Sequence, residues 1–159
     1  MTYSIDWLME NDGFECVCGK RHYGLLKDCI IGENALMQLP QILRKYNGSH
    51  PFILCDTLTY AAAGERLTTL LENEKIPYTI HIIERIHPAP DEKIVGEALM
   101  YCDAVCDTVI AVGGGVINDT CKILASAKNV PDIYVATAPS MDGFASASSS
   151  MERGGLKVS

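Results

Sequence analysis

Hydrophobic and polar residues alternate along this chain in blocks that predict β-strands followed by α-helices. Short runs of apolar, largely β-branched residues are typical of strands buried on both faces. These runs cover residues 52–55, 78–83, 107–112 and 133–136. Apolar residues at helical spacing mark residues 38–46, 59–74, 90–101 and 117–125. The order predicts an α/β fold, with a Rossmann-like, mostly parallel sheet and helices on both faces.

Two features bound the predicted elements. The helical stretch from residue 90 opens with Pro90 and Asp91, so Asp91 is the predicted N-cap. Residues 1–31 have no regular pattern and are expected to be irregular or to form a hairpin. A length of 159 residues suffices for one domain with a hydrophobic core, and we expect a single domain over residues 1–159.

Three successive glycines, Gly113, Gly114 and Gly115, join the third predicted strand to the last predicted helix. Such a turn leaves N–H groups unpaired at the helix N-terminus and lets a ligand approach the backbone closely. A plain strand-to-helix turn needs fewer glycines, so the pattern favours a phosphate-binding loop. It is not the common dinucleotide fingerprint, because Asn118 stands where the third glycine belongs, and not a P-loop, because Cys121 precedes Lys122.

A hydroxyl-rich segment, residues 137–150, follows the last predicted strand. Pro139 stiffens it, and Asp142 followed by Gly143 is a strong turn signal, which argues against a merely flexible serine-rich loop. Ligands of open α/β sheets bind beyond the carboxyl ends of the strands. Asp56, the triglycine turn and this segment all follow strands, so we expect them to converge on one crevice.

Composition excludes several classes of protein. A net charge of −7 and a pI near 5.0 argue against nucleic acid or an anionic membrane as a partner. No apolar run approaches the length of a membrane span, and the first residues lack the basic start of a signal peptide. Seven cysteines, an odd number placed mostly in apolar runs, predict buried thiols in a reduced, cytoplasmic protein.

The two glycine-containing segments together carry a family resemblance. Residues 113–122 read Gly-Gly-Gly-x-x-x-Asp-x-x-Lys, and residues 137–146 read Thr-Ala-Pro-Ser-Met-Asp-Gly-Phe-Ala-Ser. This combination resembles the superfamily of dehydroquinate synthase-like proteins and iron-containing alcohol dehydrogenases, and within it the sn-glycerol-1-phosphate dehydrogenase family. Glycerol dehydrogenases usually show Ser-Thr-Asp-Ala-Pro where this chain has Ser-Met-Asp-Gly. The resemblance covers nearly the whole chain and implies the N-terminal domain of the dehydroquinate synthase-like fold.

The resemblance implies a site for NAD(H), with NADP(H) as the alternative. Asp56 would accept hydrogen bonds from the adenosine ribose, a position that favours NAD because a 2′-phosphate would meet a carboxylate. Asp142 would hold a substrate hydroxyl. Asp119 is otherwise a first-turn carboxylate favoured by the helix dipole, and Lys122 either pairs with it or reaches the site. The implied cofactor-binding residues are Asp56, Gly113, Gly114, Gly115, Val116, Ile117, Asn118, Asp119, Lys122, Thr137, Ala138, Pro139, Ser140 and Ser146.

A catalytic divalent metal (zinc, nickel or iron) is also implied, bound by an Asp and two His residues of a helical C-terminal domain. Those positions would lie beyond Ser159, so we expect neither a catalytic residue nor a ligand of that metal in this chain. The chain is then expected to be the cofactor domain of a longer enzyme. Without the metal, nothing polarises a substrate carbonyl, and the isolated chain is expected to be inactive.

Cys16, Cys18 and His22 are a second candidate for a metal site, in a stretch that also resembles bacterial family members. One residue between the cysteines is tighter than ordinary zinc spacing, and no second pair follows at zinc-ribbon distance. Reduced cysteines in a hairpin are therefore favoured over a structural metal. Cys102 and Cys106, four residues apart at a helix end, are expected to be packed thiols.

The activity that the resemblance implies is reduction of dihydroxyacetone phosphate to sn-glycerol 1-phosphate by hydride transfer, as part of phospholipid biosynthesis, in a homo-oligomer. Glycerol dehydrogenase is the close alternative. Dehydroquinate synthase is disfavoured, because its glycine motif continues Gly-Asp where this chain has Asn118 and Asp119. A free-standing nucleotide-binding or redox-sensing module is the alternative from another class.

Overall fold

The computed structural model describes residues 7, 9, 13–24, 26–85, 88–139, 143–146 and 148–159. The strands among them are β1 (Phe14–Glu15), β2 (Arg21–His22), β3 (Pro51–Asp56), β4 (Thr79–Ile83), β5 (Thr108–Gly113), β6 (Asp132–Ala136), β7 (Met151–Arg153) and β8 (Leu156–Val158). The α-helices are α1 (Leu39–Lys45), α2 (Thr57–Thr59), α3 (Glu65–Asn73), α4 (Glu92–Tyr101) and α5 (Gly115–Lys128).

Strands β3 to β6 form one parallel sheet in the order β4-β3-β5-β6. The two central strands are buried along nearly their whole length, as their continuous apolar sequences predict. The small hairpins β1–β2 and β7–β8 are antiparallel and stand apart from this sheet. The predicted α/β class with a mostly parallel sheet is confirmed.

Helices cover both faces of the sheet, because alternate residues of each central strand point to opposite sides. On one face, Phe52 and Leu54 of β3 pack with α4 and α5. On the other face, Ile53 and Cys55 pack with α1 and α3. Each layer therefore has its own apolar core, and the sheet between them is held rigidly.

Local sequence signals mark the beginning of two helices. The Asp91 carboxylate accepts hydrogen bonds from the backbone N–H groups of Lys93 and Ile94 at 3.0 and 3.1 Å, so its predicted role as N-cap of α4 is confirmed. Pro40 lies in the first turn of α1, where a missing N–H costs nothing.

The stretch predicted as one helix over residues 59–74 begins earlier and is interrupted. Asp56 caps its first turn, so helical structure starts at Thr57, and a π-helical segment, Tyr60–Gly64, separates α2 from α3. Gly64 packs against the ring of Tyr60, where a Cβ atom would lie 2.6 Å from Cδ2. The hydrophobic periodicity did not show this wider turn, because the buried apolar residues Leu67, Leu70 and Leu71 all lie after it, in α3.

Cys102 and Cys106 are both buried, as predicted, but only Cys102 lies at the helix end. It is the C-cap of α4, whereas Cys106 belongs to the loop before β5. In the part of the chain that the structure describes, no helix combines the length and the apolar character that crossing a membrane requires.

Candidate functional site

The carboxyl ends of β3, β5 and β6 form one row at the edge of the sheet. Cys55 pairs with Val112, which places Asp56 beside Gly113, and Gly113 in turn pairs with Ala136. Neighbouring strands lie about 4.7–4.9 Å apart, so the row spans about 10 Å. The predicted convergence of Asp56, the triglycine turn and the segment after β6 at one edge follows from this register.

The strand order also creates a crevice in this row. From β3 the chain moves outward to β4, then crosses back over β3 to β5 and continues outward to β6. Connections on the two sides of the β3–β5 boundary therefore run in opposite directions. Such a topological switch point is where ligands of open α/β sheets bind, and it lies between Asp56 and Gly113.

The triglycine turn presents a helix N-terminus to this crevice. Gly113 ends β5, Gly114 is the N-cap of α5 with an extended backbone (φ −99°, ψ −155°), and Gly115 is the first helical residue. In the part of the chain that the structure describes, no side chain caps α5. The N–H groups of its first turn therefore remain available, and with the helix dipole they attract an anion such as phosphate.

Gly113 and Gly114 are glycines for different reasons. A Cβ atom at Gly113 would lie 2.8 Å from Cγ1 and 2.9 Å from Cβ of Ile117, a distance at which side chains clash. Among the described residues, a Cβ atom at Gly114 would meet nothing within 4 Å. Gly113 thus lets the helix pack tightly on the strand, while the space above Gly114 is left open for a ligand.

A cavity of about 270 Å³ opens beside the start of α5. The cavity is lined by residues of the first turn of α5 and of the β7–β8 hairpin. The sequence predicts no role for this hairpin at the site. The lining residues are Pro90, Gly115, Val116, Asp119, Ser150, Met151, Glu152 and Lys157. Nothing in the local sequence signalled the contribution of Glu152 and Lys157, because it depends on where the hairpin folds back.

Asp119 and Lys122 hold the segment after β6 in place. The Lys122 ammonium donates hydrogen bonds to the carbonyl oxygens of Gly143 at 2.6 Å and Ser148 at 3.0 Å, and it lies 3.7 Å from the Asp119 carboxylate. The second Asp119 oxygen accepts a hydrogen bond from the backbone N–H of Ser150 at 3.1 Å. Both side chains therefore fasten the hydroxyl-rich segment onto α5, and Lys122 pairs with Asp119.

Replacing Lys122 with methionine is expected to loosen this segment. The buried ammonium group and its two carbonyl contacts are lost, which lowers the free energy of unfolding by about 1–2 kcal/mol. Hydrogen exchange of the Ser148 and Ser150 amides should accelerate. Lys128→Met is the matched control, since Lys128 lies on the same helix and donates to the carbonyl of Asp103 at 2.6 Å instead. Equal exchange changes in both variants would contradict the assigned anchor.

Ile117 and Asn118, in the first turn of α5, have buried side chains. Both side chains are buried, Ile117 against Gly113 and Asn118 with 1% of its surface exposed. Among the described residues, the side-chain oxygen Oδ1 of Asn118 has no hydrogen-bond partner, although the side-chain Nδ2 donates to the Asp119 carboxylate at 3.3 Å. With both side chains buried, a contact of these two residues with a cofactor, which the resemblance implies, would be made by their backbone.

The two carboxylate oxygens of Asp56 have different surroundings. One carboxylate oxygen accepts a hydrogen bond from the backbone N–H of Thr59 at 2.8 Å and caps α2. In the described part of the chain, no partner reaches the other oxygen, which remains available at the crevice. Burial raises the pKa of the neighbouring Cys55 thiol to about 12, and the Asp56 charge adds to this rise, so Cys55 stays neutral and unreactive.

The segment after β6 is described only in part. Thr137 is half-buried, Ala138 and Pro139 are exposed, and Ser146 is exposed with its hydroxyl 3.0 Å from that of Ser148. Ser140 and Asp142, predicted for the cofactor and the substrate, lie outside the described residues.

A larger cavity, of about 500 Å³, lies against the edge strand β4 and helix α4. Tyr101 stacks on His81 with ring centroids 4.0 Å apart, and His81 lies 2.8 Å from the Glu97 carboxylate. Burial, followed by the charge of Arg85, lowers the pKa of His81, so the imidazole is neutral at pH 7. The triglycine turn does not line this cavity, and we place the candidate site at the smaller one, where the helix N-terminus lies.

Cys16, Cys18 and His22 lie away from this row, on the β1–β2 hairpin. Their ligand atoms are all within 4.8 Å of one another, the one such group of three or more His, Cys, Asp or Glu residues in the described ranges. The spacing of these residues in the sequence, taken alone, favours reduced cysteines over a metal.

The chain is similar in sequence to curated proteins named as dehydrogenases. Glycerol-1-phosphate dehydrogenase [NAD(P)+] from Geobacillus stearothermophilus is 34% identical over 136 residues, covering 83% of this chain and 34% of that protein. The enzyme of the same name from Thermoplasma acidophilum is 32% identical over 136 residues, covering 84% of this chain and 37% of that protein. The chain thus spans about a third of the length of these relatives.

Solved structures share the fold. An iron-containing alcohol dehydrogenase from Thermococcus thioreducens matches with a TM-score of 0.62 and 16% identity, over 79% of this chain and 39% of that chain. Glycerol dehydrogenase from Schizosaccharomyces pombe matches with a TM-score of 0.61 and 19% identity, over 72% of this chain and 28% of that chain. The sequence model of the family described as iron-containing alcohol dehydrogenase matches residues 30–159. This chain therefore belongs to the iron-containing alcohol dehydrogenase family.

Proposed function

We propose that this chain is the nucleotide-binding part of an NAD(P)H-dependent dehydrogenase that reduces dihydroxyacetone phosphate to sn-glycerol 1-phosphate. The observation that carries the nucleotide site is the uncapped N-terminus of α5, which lies at the switch point of the sheet beneath the open space above Gly114. The relatives named as glycerol-1-phosphate dehydrogenases support the choice of reaction.

In this proposal, the cofactor lies along the row of strand ends. The pyrophosphate binds the N–H groups at Gly114, Gly115 and Val116, where the helix dipole and the free donors compensate its charge. Asp56 binds the adenosine ribose through its free carboxylate oxygen. The residues after β6, which Asp119 and Lys122 fasten onto α5, line the cofactor further along.

Substrate binding and metal binding are proposed at other positions. Asp142 would accept a hydrogen bond from a substrate hydroxyl. A divalent metal would supply a Lewis acid for the substrate carbonyl. No described set of hard ligands surrounds the crevice, and the Cys16–Cys18–His22 group is sulfur-rich and lies on a separate hairpin. We therefore assign the catalytic metal to the part of the enzyme that the relatives have in addition.

Replacing Gly114 with aspartate tests the nucleotide site without weakening the helix. The extended backbone of Gly114 suits an aspartate N-cap, and a Cβ atom has room there, so the thermal midpoint should stay constant or rise. The new carboxylate would occupy the first-turn N–H groups and repel a pyrophosphate. NADH affinity, measured by titration calorimetry, should fall at least tenfold.

Two further variants separate charge from steric effects. Gly114→Asn keeps the cap without the charge and should weaken NADH binding less than Gly114→Asp. Gly96→Ala, at an exposed helical glycine with nothing within 4 Å, should leave NADH binding unchanged. Unaltered NADH affinity in Gly114→Asp would move the phosphates away from α5, and failure of the unmodified chain to bind either NADH or NADPH would refute the proposed function.

A further inference from the structure

The β1–β2 hairpin gathers three metal-ligating side chains at its turn. The Cys18 sulfur lies 3.1 Å from Nε2 of His22, and the Cys16 sulfur lies within 4.8 Å of both. Cys18 and His22 are exposed and Cys16 is half-buried, so a metal ion from solution can reach all three. None of these three residues belongs to the proposed nucleotide site, which is formed by Asp56 and by residues from Gly113 onward.

The hairpin geometry overcomes the short spacing of the two cysteines. The Cys16 N–H donates to the carbonyl of Lys20 at 3.0 Å, and the Gly19 N–H donates to the carbonyl of Cys16 at 2.9 Å. This closes a three-residue loop whose last residue, Gly19, has the left-handed conformation (φ +80°) that such loops require. The chain reverses directly after Cys18, and this reversal brings His22 back beside the cysteines.

Strand register places two of the ligands on one face. Phe14 pairs with His22, and side chains two residues apart on a strand share a face, so Cys16 lies diagonally next to His22. Cys18, in the loop, completes the triangle. Along the sequence, the two cysteines are too close together for the ordinary zinc spacing. In the fold, a turn closed by Gly19 determines which side chains meet.

The distances match those of a tetrahedral zinc centre. Bonds of about 2.3 Å to sulfur and about 2.0–2.1 Å to nitrogen place neighbouring ligand atoms roughly 3.5–3.8 Å apart. The observed separations, from 3.1 Å up to at most 4.8 Å, bracket this range and need only small side-chain rotations. Two thiolates and an imidazole are soft to intermediate donors, which suit Zn²⁺ and not Mg²⁺ or Ca²⁺.

The hairpin is a small unit, in which the Phe14 ring lies 5.6 Å from that of His22 and 6.1 Å from that of Trp7. Its strands contain two residues each, and an isolated two-stranded hairpin is marginal in water. Neither of the two apolar cores contains a residue of the hairpin. Val17, at the tip, is fully exposed. A metal cross-link is one of the few devices that order so small a unit.

We propose that Cys16, Cys18 and His22 bind a Zn²⁺ ion that orders the β1–β2 hairpin. The ion is structural and distinct from any catalytic metal of the enzyme. It is held as a thiolate complex, so metal binding releases the thiol protons and weakens at low pH.

Metal content and a cobalt spectrum test the site. The tag-free chain, kept reduced and equilibrated with Zn²⁺, should retain one zinc per chain by mass spectrometry of the metal. Cobalt substitution should produce the ligand-field and thiolate charge-transfer bands of a tetrahedral centre. Cys18→Ser and His22→Gln should each lower zinc affinity at least tenfold, whereas Cys29→Ser, at an exposed cysteine outside the group, should not.

Hydrogen exchange links the metal to the hairpin. Zn²⁺ should slow exchange over residues 13–24 in the unmodified chain but not in Cys18→Ser, and NADH affinity should be the same in both, which separates this site from the nucleotide site. Equal zinc content in Cys18→Ser and the unmodified chain would overturn the proposal. A chain that binds no zinc although all seven of its thiols are free would also overturn it. The same holds for a chain that forms a Cys16–Cys18 disulfide on oxidation and still binds no metal after reduction.

Discussion

Replacing Gly113 with valine is expected to lower the free energy of unfolding by about 3 kcal/mol, near the upper end of the usual cost of overpacking a core. The new Cβ atom would lie 2.8–2.9 Å from Ile117, whose side chain is 2% exposed between β5 and α5 and has no room to retreat. Urea denaturation measures the change. Because the helix start would be displaced, NADH binding should weaken as well.

A double-mutant cycle identifies the clash as the cause. Ile117→Ala alone leaves a cavity and costs about 2–5 kcal/mol. In that background, the same change at Gly113 should cost much less than in the unmodified chain, because the atoms that it meets are gone. Additive effects of the two substitutions would show that Gly113 is needed for a reason other than contact with Ile117.

Replacing Asp56 with asparagine is expected to shift cofactor preference toward NADPH by about ten- to a hundredfold. Like charges in contact cost up to several kcal/mol, and each 1.4 kcal/mol is a factor of ten in affinity. Asparagine is as good an N-cap as aspartate, so α2 keeps its first turn while the negative charge disappears. The ratio of the dissociation constants for NADH and NADPH is the measurement.

Thr59→Ala is the control for this experiment. Thr59 completes the capping box by accepting a hydrogen bond from the Asp56 N–H at 3.0 Å, so its loss weakens the cap but leaves the carboxylate in place. The preference for NADH over NADPH should then be retained. If Asp56→Asn left that preference unchanged, Asp56 would not face the ribose, and its only function would be to cap α2.

The expected results for Gly113 and Gly114 distinguish two uses of glycine within one turn. At Gly113 the absent Cβ atom permits close packing of α5 on β5, and a substitution should act on stability. At Gly114 the absent Cβ atom leaves space outside the protein, and a substitution should act on ligand affinity. Gly113 and Gly114 are therefore separable by experiment, although they look equivalent in the sequence.

The sequence alone predicted those parts of the fold that depend on neighbours along the chain. The apolar runs of β3 and β5, the N-cap at Asp91 and the glycine turn before α5 are all set by residues within a few positions of one another. Hydrophobic periodicity, capping and backbone freedom act over that range, and so they can be read without tertiary contacts.

Tertiary structure decided what lies next to these elements. The order β4-β3-β5-β6 places the switch point between Asp56 and Gly113, and strand pairing over such distances leaves no periodic trace in the sequence. Lys122 contacts carbonyl groups more than 20 residues away, and Cys16, Cys18 and His22 meet because Gly19 closes a turn that their spacing does not reveal. Local patterns specify the elements, but which side chains come together depends on long-range packing, which only the folded chain determines.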